Sequence, residues 1–135
     1  MPAQLAIDQG TANTRALLVD AAGLIHARAS APLASAHPKP SWAEQSAKAI
    51  WASVQTVIAA IVAQASASDM VAIAIANQRE TLVVCDAVTS KPIAPAIRWQ
   101  CRRSTGTCAA LQQSGHNAAV ERATGLAINP LFFGQ

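Results

Sequence analysis

The sequence predicts an α/β fold in which an antiparallel β-meander opens a mixed sheet flanked by helices. Two short apolar runs, residues 5–8 and 15–20, are separated by a few small polar residues. A helical periodicity follows over residues 47–65, and a β-branched run then covers residues 70–76. This order differs from that of a dinucleotide-binding domain, where a helix comes directly after the first strand.

The first two runs predict a tight hairpin. The link between them, residues 9–14, contains one glycine and several small polar residues, which suit a short turn. After a second turn, residues 24–30 alternate well enough to predict a third antiparallel strand. A loop is predicted over residues 32–40, because proline recurs there and proline lacks the amide hydrogen that regular structure needs.

Apolar side chains recur at helical spacing over residues 47–65, which predicts an amphipathic helix with Ser46 as its N-cap. The β-branched run over residues 70–76 predicts a buried, parallel strand. Residues 81–86 and 93–99 are interpreted as further extended segments.

The last part of the chain predicts two short helices, residues 102–113 and 118–124, followed by a loop over residues 125–135. Trp51 is interpreted as a packing residue. Cys85 is interpreted as a small buried apolar residue, which is the usual role of a free cysteine within a strand.

Composition narrows the class of protein. The 135 residues are about the size of one small domain, and only 13% are charged, which is about half the usual share. The net charge is +3, and no basic stripe with interleaved aromatic residues is present, so no nucleic-acid partner is expected. The longest apolar stretch is too short to span a bilayer, so no membrane partner is expected. Three cysteines without a C-x-x-C spacing favour the reducing cytoplasm.

The hairpin link contains residue types that bind phosphate. Backbone amides in a tight turn form an anion site, and Gly10 lets the backbone approach a phosphate without an intervening Cβ. Thr11, Asn13 and Thr14 add side-chain donors.

The strands beside this link contribute two charged residues. Asp8 ends the first strand and is a candidate ligand for Mg²⁺, and Arg15 is a candidate to neutralise a transferring phosphoryl group. On spacing alone, an ordinary surface hairpin explains these residues equally well.

A polar segment follows the predicted parallel strand, and ligands of open α/β sheets bind where such strands end. Within it, Arg79 and Glu80 suit a polyol, because a guanidinium donates hydrogen bonds to hydroxyls and a carboxylate accepts from them. Trp99 suits the C–H face of the same ligand. From the residues alone, a surface ion pair and a packing aromatic remain the commoner explanation.

Several segments occur together in a distinctive order; they are AIDQGTANTRALLVD, HPKPSWAEQSAKAIWAS, AIANQRETLVVCD, KPIAPAIRWQCRRS and ATGLAINPLFFG. Together they closely resemble the N-terminal part of the FGGY family of carbohydrate kinases, and within it the glycerol kinases. The resemblance covers nearly the whole chain. The order of elements is likewise similar to the start of the ribonuclease-H-like fold of the actin and hexokinase-type ATPases. The resemblance favours the chemical interpretation of the hairpin and of the Arg79–Glu80 pair.

The resemblance implies a reaction and its cofactors. Members of the family transfer the γ-phosphoryl group of ATP, with Mg²⁺, to a hydroxyl of a polyol or sugar, so a small polyol, with glycerol first, is the expected partner. Asp8 and Arg15 are implied to be catalytic, with Asp8 also at the Mg²⁺ site. The implied nucleotide phosphate loop consists of Gly10, Thr11, Ala12, Asn13 and Arg15.

The resemblance also implies the acceptor site. Arg79 and Glu80 match residues that grip the glycerol hydroxyls, and Trp99 matches an apolar wall of that pocket. Leu131 falls where glycerol kinases usually carry a substrate-contacting tyrosine, and leucine forms no hydrogen bond. A kinase for another polyol or sugar is therefore an alternative. Arg98 lies where an apolar residue is typical.

Family members are several times longer than this chain. The resemblance implies that the general-base aspartate and the adenosine-binding second domain lie beyond residue 135, so residues 1–135 are expected to form a partial N-terminal kinase domain. We expect such a piece to be inactive alone and to self-associate through faces that lack their packing partners. A non-catalytic remnant or interaction module is the remaining alternative.

Overall fold

A computed structural model describes residues 2–65 and 69–131 of the chain. The chain divides into two compact units, a first unit of Met1–Ala34 and Ser46–Gln78 and a second unit of Ser35–Gln45 and Arg79–Gln135. The elements in chain order are β1 (Ala3–Gln9), β2 (Asn13–Asp20), β3 (Ile25–Pro32), β4 (Glu44–Gln45), α1 (Ala47–Val62), β5 (Met70–Asn77), β6 (Ala96–Ile97), α2 (Thr105–Gln113) and α3 (Asn117–Thr124).

The first unit is a four-stranded sheet in the order β3-β2-β1-β5 with α1 packed on one face. The three strands of the meander are antiparallel and β5 is parallel to β1, which confirms the predicted mixed sheet. Alternate residues of the strands point toward α1, because side chains of a strand alternate between the two faces. The resulting core includes Leu5, Ile7, Leu18, Val57 and Ile61.

The predicted hairpin between β1 and β2 is present and has only two residues at its tip. Gln9 pairs with Thr14, and the amide of Gly10 donates to the carbonyl of Asn13 at 2.9 Å. A Cβ at Gly10 would lie 3.0 Å from that carbonyl oxygen, so the close approach favours glycine. The amide of Leu33 donates to the carbonyl of Ala12 at 2.9 Å, which ties the tip to the end of β3.

The expectation that Thr14 is a phosphate donor is wrong. Its side chain is fully buried on the face toward α1, where its hydroxyl lies 2.6 Å from that of Ser53. The Ser53 hydroxyl donates to the carbonyl of Ile50 at 2.7 Å, so the hydrogen between the two hydroxyls comes from Thr14. Thr14 therefore fixes the base of the hairpin to the helix.

We expect this buried pair to stabilise the fold measurably. Ser53→Ala leaves the Thr14 hydroxyl unpaired and should lower the free energy of unfolding by about 1–3 kcal/mol. Adding Thr14→Val should cost less than the sum of the two single changes, because the partners are coupled. Urea denaturation of the four proteins measures this coupling. Thr56→Ala on the exposed face of α1 is the matched control, and strict additivity of the pair would contradict the assignment.

The predicted helix is confirmed as α1, although it ends at Val62 rather than at residue 65. The Ser46 hydroxyl accepts from the amide of Ala49 at 3.2 Å, as expected for an N-cap. The interpretation of Trp51 as a packing residue is wrong, since its side chain is 62% exposed. Val57 and Ile61 on the opposite side of the helix supply the packing instead.

The run over residues 70–76 forms a parallel strand as predicted, but the prediction that this strand is buried is wrong. Val71, Ile73 and Ile75 are 65%, 65% and 73% exposed. The reason is that α1 packs on β2 and β3 and only slightly on β1. Within the described sheet, β5 is an edge strand, and α1 covers little of it.

The strand pairings of the second unit are short. β4 pairs antiparallel with β6, and isolated bridges join Ala36 to Glu44, Leu82 to Ile97 and Cys85 to Pro92.

The predicted strand over residues 81–86 is therefore only a pair of bridges, and the extended segment over 93–99 shortens to β6. The Asp86 carboxylate accepts from the amides of Val88 and Thr89, which folds the chain back before a ladder extends. Cys85 is exposed, so its predicted burial is wrong.

The two predicted helices are found as α2 and α3. The first begins at Thr105, a few residues later than predicted, and Gly115 with a positive φ of 77° follows its end. The loop predicted over residues 125–135 is described as far as Leu131, and residues 132–135 lie outside the described part of the chain.

Candidate functional site

Asp8 and Arg15 lie opposite each other at the base of the hairpin. They are cross-strand partners in the register of β1 and β2, and both are exposed on the sheet face that turns away from α1. Side chains so paired are within interaction distance. Within residues 2–65 and 69–131, neither group forms an ion pair or hydrogen bond, so both charges remain available to a ligand.

The same sheet face carries a cleft of about 410 Å³. Its polar lining consists of the Asp8 carboxylate and the Arg15 guanidinium, and the remaining lining residues are apolar: Ala6, Ile7, Leu17, Ala74, Ile75 and Ala76. Small side chains from β1 and β5 leave this space open. A carboxylate and a guanidinium therefore share one cleft beside the hairpin.

Gln9 positions the start of the hairpin, a role that the sequence did not reveal. Its side chain is buried, and its amide donates to the carbonyl of Gly10 at 2.8 Å. Its Oε1 accepts from the amide of Gln78 at 3.4 Å, which links the hairpin to the end of β5. A glutamine between an acidic residue and a glycine has no sequence pattern that would predict this positioning role.

The residues present fit a hydrated magnesium ion with a phosphate. Among the described residues, no group of three His, Cys, Asp or Glu side chains is placed to hold a metal. Mg²⁺ does not require one, because it keeps several waters and binds through one or two carboxylates together with substrate phosphates. Asp8 offers such an exposed carboxylate, and the turn at Gly10 offers close backbone approach.

Arg79 and Glu80 begin the second unit and are both exposed. Neither forms an ion pair or hydrogen bond with any residue that the structure describes. Glu80 has a φ of +56°, in the left-handed region that an L-residue enters at a cost. The chain thus presents this carboxylate from a strained backbone position.

The bridge between Leu82 and Ile97 determines where Glu80 and Trp99 lie along the paired segments. The two residues of the bridge exchange both backbone hydrogen bonds at 2.9 Å. Because the pairing is antiparallel, Glu80 and Trp99 each lie two residues beyond the bridge, at the same end of it. Trp99 is half-buried.

Leu131 belongs to the second unit and lies on the segment after α3. It is half-buried, and its amide donates to the Asn129 side chain at 2.9 Å. The carbonyl of Ile128 accepts from Gln112 at 3.0 Å, which fastens this segment to α2. Among the described residues, no hydrogen bond or ion pair joins Leu131 to Arg79 or Glu80.

Residues 3–134 match the N-terminal domain of the FGGY family of carbohydrate kinases. The chain belongs to this family.

The relatives of this chain are named as kinases of different acceptors. The chain is 41% identical over 131 residues to the apulose kinase of Pectobacterium atrosepticum, covering 97% of this chain and 26% of the relative. It is 42% identical over 132 residues to the glycerol kinase of Bacillus subtilis, covering 96% of this chain and 27% of the relative. It shares its fold with the xylulose kinase of Lactobacillus acidophilus, with a TM-score of 0.89 and 21% identity over 97% of this chain and 26% of that one.

The chain therefore spans about a quarter of the length of the curated relatives that it matches. The solved structure confirms the predicted fold class. Within the described residues, no helix combines the length and the apolar character needed to cross a bilayer.

Proposed function

We propose that this chain carries the phosphate-binding hairpin and the acceptor-binding residues of an ATP-dependent polyol kinase, with glycerol as the first acceptor to test. The observation that carries the proposal is the placement of Asp8 and Arg15 side by side, in one cleft, at the base of a two-residue hairpin. Phosphoryl transfer depends mostly on positioning and on charge stabilisation, and this site offers both.

ATP with Mg²⁺, when bound, would supply the phosphoryl group and much of the charge that stabilises its transfer. Asp8 would hold the hydrated ion, and Arg15 would balance the negative charge of the phosphates. The hairpin residues Thr11, Ala12 and Asn13 would offer backbone amides and side-chain donors to the phosphates, and Gly10, whose own amide donates to Asn13, would allow their close approach. The tie between Leu33 and Ala12 would keep that cradle in place before the ligand arrives.

In the second unit, the Arg79 guanidinium would donate to an acceptor hydroxyl and the Glu80 carboxylate would accept from one. Trp99 would pack against the C–H face of the same molecule. We propose that a second domain, outside these 135 residues, supplies the general base and the adenosine site. The free cysteines Cys85, Cys101 and Cys108 support a reducing, cytoplasmic location.

The identity of the acceptor is the open part of the proposal. Leu131 provides no hydroxyl where glycerol kinases usually provide one, and this favours a second candidate, a kinase for a larger polyol or sugar. The relatives named for apulose and glycerol are equally similar to this chain and support both candidates. A panel of glycerol, four-carbon polyols and five-carbon ketoses separates them.

A chimera tests whether the chain is a working part of a kinase. We expect that replacing the matching segment of the Bacillus subtilis glycerol kinase with this chain gives an enzyme that phosphorylates a polyol or sugar in the panel. The physical reason is that the charged pair and hairpin would complete the phosphate site of the recipient. Coupled measurement of ADP release with each acceptor gives the result, and the 135-residue chain alone should release none.

Asp8→Asn and Arg15→Met in the chimera should each reduce the rate by about 100-fold, the scale of losing one charge-stabilising group in a transition state. Arg28→Met, an exposed arginine on β3, is the matched control. A soluble chimera that binds ATP but transfers to no acceptor would support the non-catalytic alternative, and an active chimera indifferent to Asp8→Asn and Arg15→Met would overturn the roles assigned to them.

A further inference from the structure

The second unit contains a cleft that the proposed kinase chemistry does not use. Its volume is about 420 Å³. The lining side chains that carry polar groups are Ser35, His37, Ser41, Trp42, Arg98 and Gln100. The lining thus offers hydroxyl, guanidinium, amide and imidazole groups and no carboxylate, a set that suits a negatively charged ligand.

Arg98 is the unusual member of this lining. Its side chain is only 5% exposed, and one terminal nitrogen donates to Oε1 of Gln100. Its Nε is buried and has no hydrogen-bond partner among the described residues, and no described carboxylate forms an ion pair with the guanidinium. Burial lowers the pKa of this arginine. A buried charge without a counter-charge is costly, so an anion at this position would be strongly favoured.

Glu44, the acidic residue of the segment that pairs with β6, already forms an ion pair with another arginine. Glu44 accepts from Arg103 at 2.6 Å, and Arg103 also lies over the ring of Trp42 at 3.8 Å. Burial opposes the charge of Arg103, but its bonds to Cys101 and Glu44 raise its pKa overall. Lys39 lies 4.7 Å from the same ring. The neighbourhood therefore holds more cations than carboxylates.

The backbone holds Arg98 in place. Its amide donates to the carbonyl of Ala43 at 3.0 Å, and its carbonyl accepts from the amide of Cys101 at 2.8 Å. The amide of Arg102 donates to the carbonyl of Ser41 at 2.8 Å. These bonds join the two segments that line the cleft, and the bond to Gln100 orients the guanidinium before any ligand binds.

We propose that this cleft binds a small oxyanion of the phosphate type through the guanidinium of Arg98. A guanidinium pairs well with phosphate oxygens, and the hydroxyls of Ser35 and Ser41 line the same space. His37 donates from Nδ1 to the carbonyl of Trp42 at 2.9 Å, which orients its imidazole at the cleft. This site lies entirely within the second unit and does not depend on the kinase proposal.

The test uses the unmodified 135-residue chain, labelled with ¹⁵N, and inorganic phosphate as the probe at constant ionic strength. We expect saturable shifts at the amides of Ser41, Arg98 and Gln100 and no saturable response to chloride. Shifts confined to residues 10–13 would place phosphate at the hairpin and overturn this inference while supporting the kinase proposal. Shifts that do not saturate, or that spread over all the basic residues, would also overturn it.

Two arginine variants test whether phosphate binding depends on Arg98. Arg98→Leu should weaken phosphate binding at least tenfold, and it removes an uncompensated buried charge. Arg102→Leu, an exposed neighbour on the same segment, is the matched control and should leave the affinity unchanged. Equal losses from the two changes would indicate attraction to surface charge and contradict the site. Should Arg98→Leu not fold, the shifts of the unmodified chain still decide the question.

Discussion

Glu80→Gln, made in the chimera proposed above, is expected to lower kcat/KM for the acceptor by about 100-fold. The change removes the negative charge while keeping the shape of the side chain, and a hydrogen bond to a charged group contributes about 1.5–3 kcal/mol. Glu80 is exposed and forms no bond or ion pair within the described residues, so it has no structural partner whose loss would explain the effect. Steady-state kinetics with the preferred acceptor of the panel gives the measurement.

The backbone of Glu80 supplies an independent check. Its φ of +56° is costly for an L-residue and free of strain for glycine, so Glu80→Gly should keep or raise the melting temperature of the chimera while it lowers activity. A substitution that lowers activity without lowering stability shows that the original side chain serves function and not folding. Glu121→Gln, an exposed carboxylate on α3, is the matched control and should change neither property. Full activity of Glu80→Gln would remove Glu80 from the acceptor site.

Local chemistry made the start of the fold predictable. The glycine and small polar residues after Asp8 limit the connection to a short turn, and alternating apolar residues select which face of each strand is buried. The cross-strand placement of Asp8 and Arg15 then follows from a symmetric hairpin, in which residues equally distant from the tip face each other. The chemical role of this pair stays a prediction, because the register establishes only that the two residues are neighbours.

Properties that depend on distant residues were not predictable. The sequence around a threonine beside a glycine turn is the same whether its hydroxyl faces a ligand or a helix, and only the packing of α1 gives Thr14 its Ser53 partner. The sequence of a β-branched strand is the same whether or not a helix covers the strand, so the sequence did not predict the exposure of Ile73 and Ile75. The pairing of Leu82 with Ile97 joins residues far apart in sequence, and it carries no local signal.

The exposed apolar residues of β5 are expected to make the chain self-associate. Ile73 and Ile75 pair with Leu5 and Ile7 in the register of β5 and β1, so they share the sheet face on which Leu5 and Ile7 are buried, and Val71, at the irregular start of this pairing, is exposed as well. β5 is also an edge strand of the described sheet, and its backbone groups are a template for pairing with another chain. Burial of one such side chain contributes about 1.5–3 kcal/mol, so a contact that covers several of them on each copy favours association.

We therefore expect the purified 135-residue chain to self-associate, and Ile73→Lys combined with Ile75→Lys to restore a monomer. Lysines on an edge strand oppose pairing because they carry like charges that must remain hydrated. Sedimentation velocity over a range of concentrations gives the measurement. Val88→Lys is the matched control, because Val88 is 92% exposed on a turn of the second unit. If the chain were monomeric before any change, or if Val88→Lys alone dispersed it, β5 would not be the associating surface.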